Sequence, residues 1–132
     1  MVKYNLFLDD IRHPETAFNY MHDPRYLKLE WKIVRNFDEF KCAIDTYGIP
    51  ELISYDHDLA EIHYDPSTWT ETFVYDEKTG LDCAKYLIEK LKGSKHPDWI
   101  VHSWNPVGKQ NIINLIQDYE IRVNTKRNKE KE

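Results

Sequence analysis

Four short apolar runs recur along the chain, at residues 3–8, 31–35, 52–55 and 99–101. Each is about as long as one strand and is bounded by polar or turn-forming residues. Short runs of this kind are typical of strands that are buried on both faces of a sheet. We therefore predict four strands.

Helical spacing of apolar residues predicts a helix after each of the last three runs. Asn36 can cap the first helix, and Glu39 three residues later completes a capping-box-like pattern. Thr79 marks the start of the second helix, and Asn105 followed by Pro106 marks the start of the third. The apolar residues predicted to face inwards are Phe37, Phe40, Ile44 and Tyr47, then Leu81, Ala84, Leu87, Ile88 and Leu91, then Ile112, Leu115, Ile116 and Tyr119.

Two connections are longer than an ordinary loop between a strand and a helix. Residues 13–30 are mostly polar, and Pro14 suits the first turn of a short helix over residues 15–21. Residues 60–78 include an alternating segment that predicts a hairpin or flap. The aromatic residues of the flap would form a small core of their own or stack on a base, and they are Tyr64, Trp69, Phe73 and Tyr75.

Strands that alternate with helices imply βα units and a mainly parallel sheet. Right-handed crossovers place helices on both faces of that sheet, so we predict a single three-layer α/β domain over residues 1–123. The sheet would have four strands, because no fifth strand is apparent after residue 119. Residues 124–132 are polar and predict a C-terminal tail.

The composition narrows the classes of function. The chain has 132 residues and a net charge of −5, which argues against long duplex nucleic acid as a ligand but allows a small nucleotide or an RNA end. No apolar stretch approaches the length of a membrane span, and the N-terminus has no cleavable signal pattern. Cys42 and Cys83 are typical of reduced packing residues. We therefore expect a cytoplasmic protein without a membrane partner.

Three of the predicted strands end in clusters of polar residues. The clusters are Asp9-Asp10-Ile11-Arg12, Asp56-His57-Asp58 and His102-Ser103-Trp104-Asn105. Ligands of open parallel sheets lie outside the carboxyl ends of the strands, and these clusters would converge there. Strand ends are often polar only because the chain leaves the core, but three clusters rich in Asp and His favour a functional site.

The carboxylates of these clusters would repel one another without a cation. Asp9, Asp10 and Asp56 could hold Mg²⁺, a hard cation that takes carboxylate and phosphate oxygens as ligands. Arg12 is the other candidate cation, and its guanidinium would either grip a phosphate in bidentate fashion or form only an internal salt bridge.

His57 and His102 follow different strands and could act as base and acid on either side of a phosphoester. Asp56 or Asp58 could orient a histidine. The alternative is that one histidine faces the core, since strand alternation would turn Asp56 and Asp58 one way and His57 the other. The remaining histidines lie in polar segments and are predicted to be solvated, namely His13, His22, His63 and His96.

The turn that opens the last helix has the features of an anion site. Free N–H groups at a helix N-terminus bind anions, and Gly108 would let a phosphate approach closely. Ser103 and Asn105 add polar side chains, although Asn105 could serve only as the helix cap. We therefore expect these three residues to bind substrate together with Arg12.

This layout resembles the receiver domains of response regulators, in which an acidic pair binds Mg²⁺ and a central Asp is phosphorylated. Asp9, Asp10 and Asp56 occupy those places, and Ser103 resembles the hydroxyl position. The phosphate-binding lysine of those domains has no counterpart here, while Arg12 and the histidines are additions.

With these additions, the chain resembles a divergent family, the cyclic-phosphate-processing receiver-like domains. The matching segments are Leu8-Asp9-Asp10-Ile11-Arg12-His13-Pro14, Asp56-His57-Asp58-Leu59 and His102-Ser103-Trp104-Asn105-Pro106-Val107-Gly108. The resemblance implies a receiver-like (flavodoxin-like) fold and a phosphoesterase-like hydrolase. Its substrate would be a 2′,3′-cyclic nucleotide, a cyclic RNA end or a related cyclic nucleotide.

In this interpretation His57, His102 and Asp58 are the catalytic residues, and the acidic cluster holds Mg²⁺ if a metal is used. One alternative is a non-catalytic receiver-like module that binds a phosphorylated nucleotide or is phosphorylated on Asp56. Another alternative is a structural or partner-binding protein, in which the polar sheet edge only keeps the protein soluble. This alternative would require Asp10, Asp56 and His102 to lie far apart.

Overall fold

The computed structural model of the chain describes residues 3–59 and 78–130, and these residues form four strands and five helices. The strands are β1 (Asn5–Leu8), β2 (Lys32–Val34), β3 (Leu52–Tyr55) and β4 (Asp98–Val101). The helices are α1 (Pro14–Met21), α2 (Arg25–Lys28), α3 (Phe37–Tyr47), α4 (Gly80–Leu91) and α5 (Pro106–Glu130).

All four strands run parallel in the order β2-β1-β3-β4. One face of the sheet packs against α3, α4 and α5 and contributes Leu6, Leu8, Ile53, Tyr55 and Val101 to the larger core. The opposite face packs against α1 and α2 and contributes Phe7, Leu52 and Ile100. The predicted three-layer, receiver-like α/β fold is therefore confirmed, and no fifth strand occurs in the described ranges.

Polar caps fix where the helices begin. The side chain of Asn36 accepts a hydrogen bond from the backbone N–H of Glu39 (2.8 Å), as predicted. The Glu39 carboxylate reaches back one residue further than in a capping box, because it accepts from the N–H of Arg35 (2.9 Å). At the start of α4, Thr79 and Asp82 form a complete capping box.

Helix α4 begins directly against the end of β3. A Cβ atom on Gly80 would lie 1.7 Å from the carbonyl oxygen of Asp56, so no larger residue fits at this position. The backbone N–H of Gly80 also donates to the carbonyl oxygen of His57 (2.8 Å). The first turn of α4 therefore holds the Asp56-His57 segment in place.

The structure differs from the sequence-based expectations in the segment before β2. Helix α1 confirms the short helix predicted there, whereas α2 was not predicted. A buried tyrosine, Tyr26, anchors α2 to the sheet, because its hydroxyl lies 2.7 Å from Oγ of Ser54.

At the other end of the chain, α5 continues to Glu130, so the segment predicted as a polar tail is helical in the described part. The domain boundary at residue 123 remains a prediction. Within the described residues, no helix is long and apolar enough to cross a membrane.

Three further predictions concern single side chains. Cys83 is buried as expected, but Cys42 is exposed on α3, so the prediction that both cysteines pack in the interior is wrong for Cys42. His13 and His22 are exposed. His96 is buried, and its ring nitrogens lie 3.3 Å from the hydroxyl of Tyr55 and 2.7 Å from the carbonyl oxygen of Pro97. The prediction of solvent exposure for His96 is therefore wrong. Residues 60–77 of the predicted flap, with its aromatic residues and His63, lie outside the described residues.

Candidate active site

Three side chains at the carboxyl edge of the sheet are brought together by strand register. Asp9, Asp56 and His102 are the first residues after β1, β3 and β4. The N–H of Asp56 donates to the carbonyl oxygen of Leu8 (3.0 Å), and the N–H of His102 donates to that of Tyr55 (2.9 Å). The hydrogen-bond ladder of the parallel sheet therefore continues to Asp56 and His102. Because side chains alternate along a strand, residues at the same step lie on the same face. Each of the three offers one polar atom, and these atoms lie within 4.8 Å of one another.

The carboxylate of Asp9 is wholly buried and fully hydrogen-bonded. Its Oδ1 accepts from the N–H groups of Ile11 (3.0 Å) and Arg12 (2.8 Å), and its Oδ2 lies 3.0 Å from Nε2 of His102. Burial alone would raise the pKa of Asp9, but these hydrogen bonds outweigh it and hold the pKa well below its ordinary value. Asp9 is therefore a fixed negative charge at the floor of the site.

His102 continues a buried chain of hydrogen bonds towards α2. Because ionised Asp9 can only accept, Nε2 of His102 carries a proton, and burial lowers the pKa of His102 so that the ring stays neutral. Nδ1 must then accept, and the hydroxyl of Ser54 donates to it at 2.6 Å. The hydroxyl of Tyr26 in turn donates to Ser54 (2.7 Å), and the ring of Phe7 stacks on the imidazole with centroids 4.6 Å apart.

Asp56 has a different electrostatic environment. It is 3% exposed, and burial, together with the charges of Asp9 and Asp10, raises its pKa to about 7. The N–H of His57 (2.8 Å) and the hydroxyl of Ser103 favour the ionised form but do not reverse the shift. Neighbouring carboxyl groups with pKa values pushed apart are typical of functional sites.

Arg12 supplies a positive charge above these carboxyl groups. Its guanidinium lies 3.6 Å from Oδ2 of Asp9 and 4.0 Å from Oδ2 of Asp56, distances longer than a hydrogen bond. The backbone of its loop is fixed by Arg35, which donates to the carbonyl oxygens of Arg12 (2.7 Å) and Asp9 (3.2 Å). The side chain is 23% exposed, so part of it is open to solvent.

A second group of residues surrounds His57 at the start of α5. Nδ1 of His57 lies 2.8 Å from Oδ1 of Asp58, and the side-chain amide of Asn105 donates to both Asp58 oxygens at 3.2 and 3.4 Å. The amide oxygen of Asn105 also accepts from the N–H of Gly108 (2.9 Å). Asn105 therefore caps α5 and positions Asp58 at the same time.

The predicted role of Gly108 changes accordingly. Its N–H is taken up by the Asn105 cap, and a Cβ atom at Gly108 would lie 2.3 Å from Cγ of His57. The missing side chain thus makes room for the imidazole, while a role in phosphate approach stays a prediction. Ser103, which is buried, accepts from the N–H of Asn105 (3.1 Å) and so fixes the turn before the helix.

The two predicted catalytic histidines have different surroundings. His102 is buried, and both of its ring nitrogens are hydrogen-bonded. His57 is 17% exposed, and its Nε2 has no hydrogen-bond partner in residues 3–59 and 78–130. The expected alternation of side chains holds for Asp56 and His57, because Asp56 lies beside Asp9 and His102 while His57 does not belong to that cluster. It does not extend to Asp58, whose carboxylate contacts the imidazole of His57.

The cluster that could hold a metal ion consists of Asp9, Asp56 and His102. The sequence predicts Asp10 as the third ligand, whereas the third group of this cluster is the imidazole of His102. Asp10 contributes its negative charge to the raised pKa of Asp56. Two carboxylates fit Mg²⁺, and an imidazole beside them suits Mn²⁺ and other first-row ions as well.

Sequence reasoning missed several residues of this region. Ser54 gave the clearest signal, because it is a polar residue inside an apolar run. Tyr26 and Tyr20 gave none, since they lie in a polar segment far away in the sequence, yet the Tyr20 hydroxyl donates to the carbonyl oxygen of His102 (2.7 Å). Trp104 lies within the polar cluster that follows β4, but its position there predicts no role for it.

Comparison with known proteins adds one finding. A protein-family model described as the cyclic-phosphate processing receiver domain matches residues 4–118 of the chain. This match covers all four strands and includes every candidate site residue. No curated protein and no solved structure matches the chain.

Proposed function

Because the chain belongs to the family of cyclic-phosphate processing receiver domains, we propose that it hydrolyses a cyclic phosphodiester to a phosphomonoester. The substrate would be the 2′,3′-cyclic phosphate of a nucleotide or of an RNA end. The observation that carries the proposal is the Asn105–Asp58–His57 chain, in which Nε2 of His57 has no partner among the described residues, at the sheet edge that also holds Arg12.

His57 is the general base of the proposed reaction. A carboxylate bonded to one imidazole nitrogen fixes the tautomer and leaves the other nitrogen to accept a proton. With Asp58 on Nδ1 (2.8 Å), Nε2 of His57 takes the proton of the attacking water. The hydroxyl group forms a bond to phosphorus, and the bond from phosphorus to one ribose oxygen breaks.

The released ribose oxygen needs a proton in the same step. Asp56 is the candidate donor, because its raised pKa of about 7 leaves part of the population protonated at neutral pH. His102 suits this role less well, since its Nε2–H is already bonded to Asp9. We therefore assign His102 a positioning role, in place of the acid role considered from the sequence.

Arg12 binds the phosphate in this proposal. Its guanidinium has five N–H donors in a planar fork, and its contacts to Asp9 and Asp56 are too long to use them as hydrogen bonds. A phosphate oxygen hydrogen-bonded to Arg12 would lie closer to the guanidinium than the carboxylates of Asp9 and Asp56 do. Asn105 and Gly108 act indirectly, by holding Asp58 and His57.

A divalent cation is the alternative to proton donation by Asp56, because a carboxyl group that ligates a cation is ionised and holds no proton. Asp9, Asp56 and His102 would hold the cation, with the His102 proton moved from Nε2 to Nδ1, and Ser54, which would then accept from Nδ1, is the kind of outer partner that orients a ligating imidazole. When bound, Mg²⁺ or Mn²⁺ would neutralise the carboxylates and the developing charge on the phosphate oxygens.

Purified protein incubated with cyclic phosphates tests the proposal. Nucleoside 2′,3′-cyclic phosphates, RNA oligonucleotides with a cyclic end and cyclic dinucleotides are each assayed with Mg²⁺, with Mn²⁺ and with a chelator, and products are followed by ³¹P NMR. We expect ring opening of the 2′,3′-cyclic substrates and a loss of at least a hundredfold in kcat for His57→Ala, in line with general base catalysis.

The matched control is His22→Asn, which changes an exposed histidine at the end of α1 to a residue that tolerates its positive φ of 56°. This variant should keep the wild-type rate. Absence of turnover for every substrate under every metal condition, or equal rates for wild type and His57→Ala, would overturn the proposal.

A further inference from the structure

An exposed indole stands beside the proposed phosphate-binding residue. Trp104 lies between β4 and α5 and is 66% exposed. Its ring centroid is 4.9 Å from the guanidinium carbon of Arg12. A large aromatic side chain left this open next to a polar site is unusual, because burial of an aromatic ring is strongly favourable.

The indole is held in a defined place although it is exposed. Tyr20 packs against it edge to face, with centroids 5.2 Å apart and an angle of 77° between the rings. Tyr20 is itself fixed, because its hydroxyl donates to the carbonyl oxygen of His102 at 2.7 Å. The ring is therefore positioned by the same strand end that positions the site, so a ligand that stacks on it has little ordering to do.

We propose that Trp104 stacks on the nucleobase of the substrate whose cyclic phosphate is held by Arg12. The inference rests on the proposed function for the phosphate and adds the base as a second recognition element. If the phosphate is bound by Arg12, the ribose follows it directly and the base is attached to that ribose. The base would then lie beside the indole of Trp104, which neighbours Arg12. Stacking accepts any base, because every base has a π-face. The substrate class is thus a nucleoside cyclic phosphate or an RNA end with little base preference.

A simpler role for Trp104 makes a different prediction. The indole could serve only to hold the guanidinium of Arg12 through a cation–π contact, in which case it would support binding of any phosphate. The two roles separate when the substrate has no base. Glycerol 1,2-cyclic phosphate has the same five-membered ring and lacks both ribose and base.

The experiment compares KM for a nucleoside 2′,3′-cyclic phosphate with KM for glycerol 1,2-cyclic phosphate in wild type, Trp104→Ala and Trp104→Phe. Base stacking on an aromatic side chain corresponds to roughly tenfold or more in affinity. We therefore expect Trp104→Ala to raise KM of the nucleotide about tenfold, Trp104→Phe to raise it less, and both to leave KM of the glycerol ester within about twofold.

Tyr47→Ala is the matched control. Tyr47 is also an exposed aromatic residue in contact with a cation, Lys32 at 4.4 Å, and it lies at the end of α3, next to the N-terminal part of β1. This variant should change neither KM. An equal rise of KM for both substrates in Trp104→Ala would overturn the inference in favour of the simpler role.

A failure of the proposed function is recognised separately, because neither substrate would then be turned over by the wild type. In that case, calorimetric titration with a 3′-nucleoside monophosphate and with inorganic phosphate decides the stacking alone. Tighter binding of the nucleotide that is lost in Trp104→Ala supports the inference. Equal affinity of the two ligands for the wild type overturns it.

Discussion

The imidazole of His57 occupies the space that a side chain at Gly108 would fill, since a Cβ atom there would lie 2.3 Å from Cγ of the ring. The helix that carries Gly108 therefore sets the position of the proposed general base. Substitution of this glycine tests the base without altering any ionisable group.

We predict that Gly108→Ala displaces the imidazole and lowers kcat at least tenfold, because a misplaced catalytic group is costly to the reaction. Alanine favours the helix more than glycine by about 1 kcal/mol, so a weakened α5 cannot explain the loss. Steady-state kinetics measures the effect, and the urea midpoint checks the fold. Gln110→Ala, an exposed change in the same helix, is the control, and an active Gly108→Ala would contradict the placement of His57.

The buried chain from Tyr26 to Asp9 predicts an order of destabilisation. Ser54→Ala removes the donor to His102 and the acceptor of Tyr26 at once, whereas Tyr26→Phe leaves the Ser54–His102 bond intact. An unsatisfied buried polar group costs about 1–3 kcal/mol. We expect Ser54→Ala to lower the free energy of unfolding by roughly 2–4 kcal/mol and Tyr26→Phe by about 1 kcal/mol. Urea denaturation of both single variants and the double variant measures this, and a larger loss in Tyr26→Phe would contradict the chain.

The raised pKa of Asp56 predicts that the free energy of unfolding depends on pH when a chelator keeps the protein free of metal. The folded-state pKa of about 7 exceeds that of an unfolded Asp, so the folded state holds a proton that the unfolded state releases. The stability from this group is therefore present at low pH and is lost as the pH rises to and through about 7.

Asp56→Asn does not titrate and should escape this loss. Relative to wild type, we expect the variant to gain on the order of 2 kcal/mol in free energy of unfolding between pH 5 and pH 8.5. Urea denaturation with a chelator at the two pH values gives the difference. All other titrating groups are shared by the two proteins and serve as the internal control. A gain that is the same at both pH values would contradict the assignment.

The environment of Asp56 also bears on the phosphorylated-module alternative. The phosphate-binding lysine of receiver domains has no counterpart in this chain, so a phosphoryl group on Asp56 would lack that cationic partner. We expect incubation with acetyl phosphate and Mg²⁺ to leave the intact mass unchanged. A gain of one phosphoryl group that disappears in Asp56→Asn would instead favour the receiver-like alternative.

Much of this site could be read from the sequence, because parallel strands end at one edge and the polar residues that follow them must meet there. Asp9, Asp56 and His102 illustrate this. What could not be read were contacts across the sheet face. The polar segment before β2 gave no sign that Tyr26 would complete a hydrogen-bond chain to His102 through Ser54. The direction of a side chain beyond the end of a strand could not be predicted either. Asp58 is an example, because its carboxylate contacts His57 and does not lie beside Asp56.

The bond between the N–H of Gly80 and the carbonyl oxygen of His57 joins the two ends of the long connection between β3 and α4. The end of β3 and the start of α4 therefore meet at a single point beside Asp56. Because the entropy of closing a loop grows only slowly with its length, residues can be added or removed there at little cost to the sheet or to α4. A change in the length of this connection would therefore begin and end beside the proposed active site, while the hydrogen bond that joins its two ends stays in place.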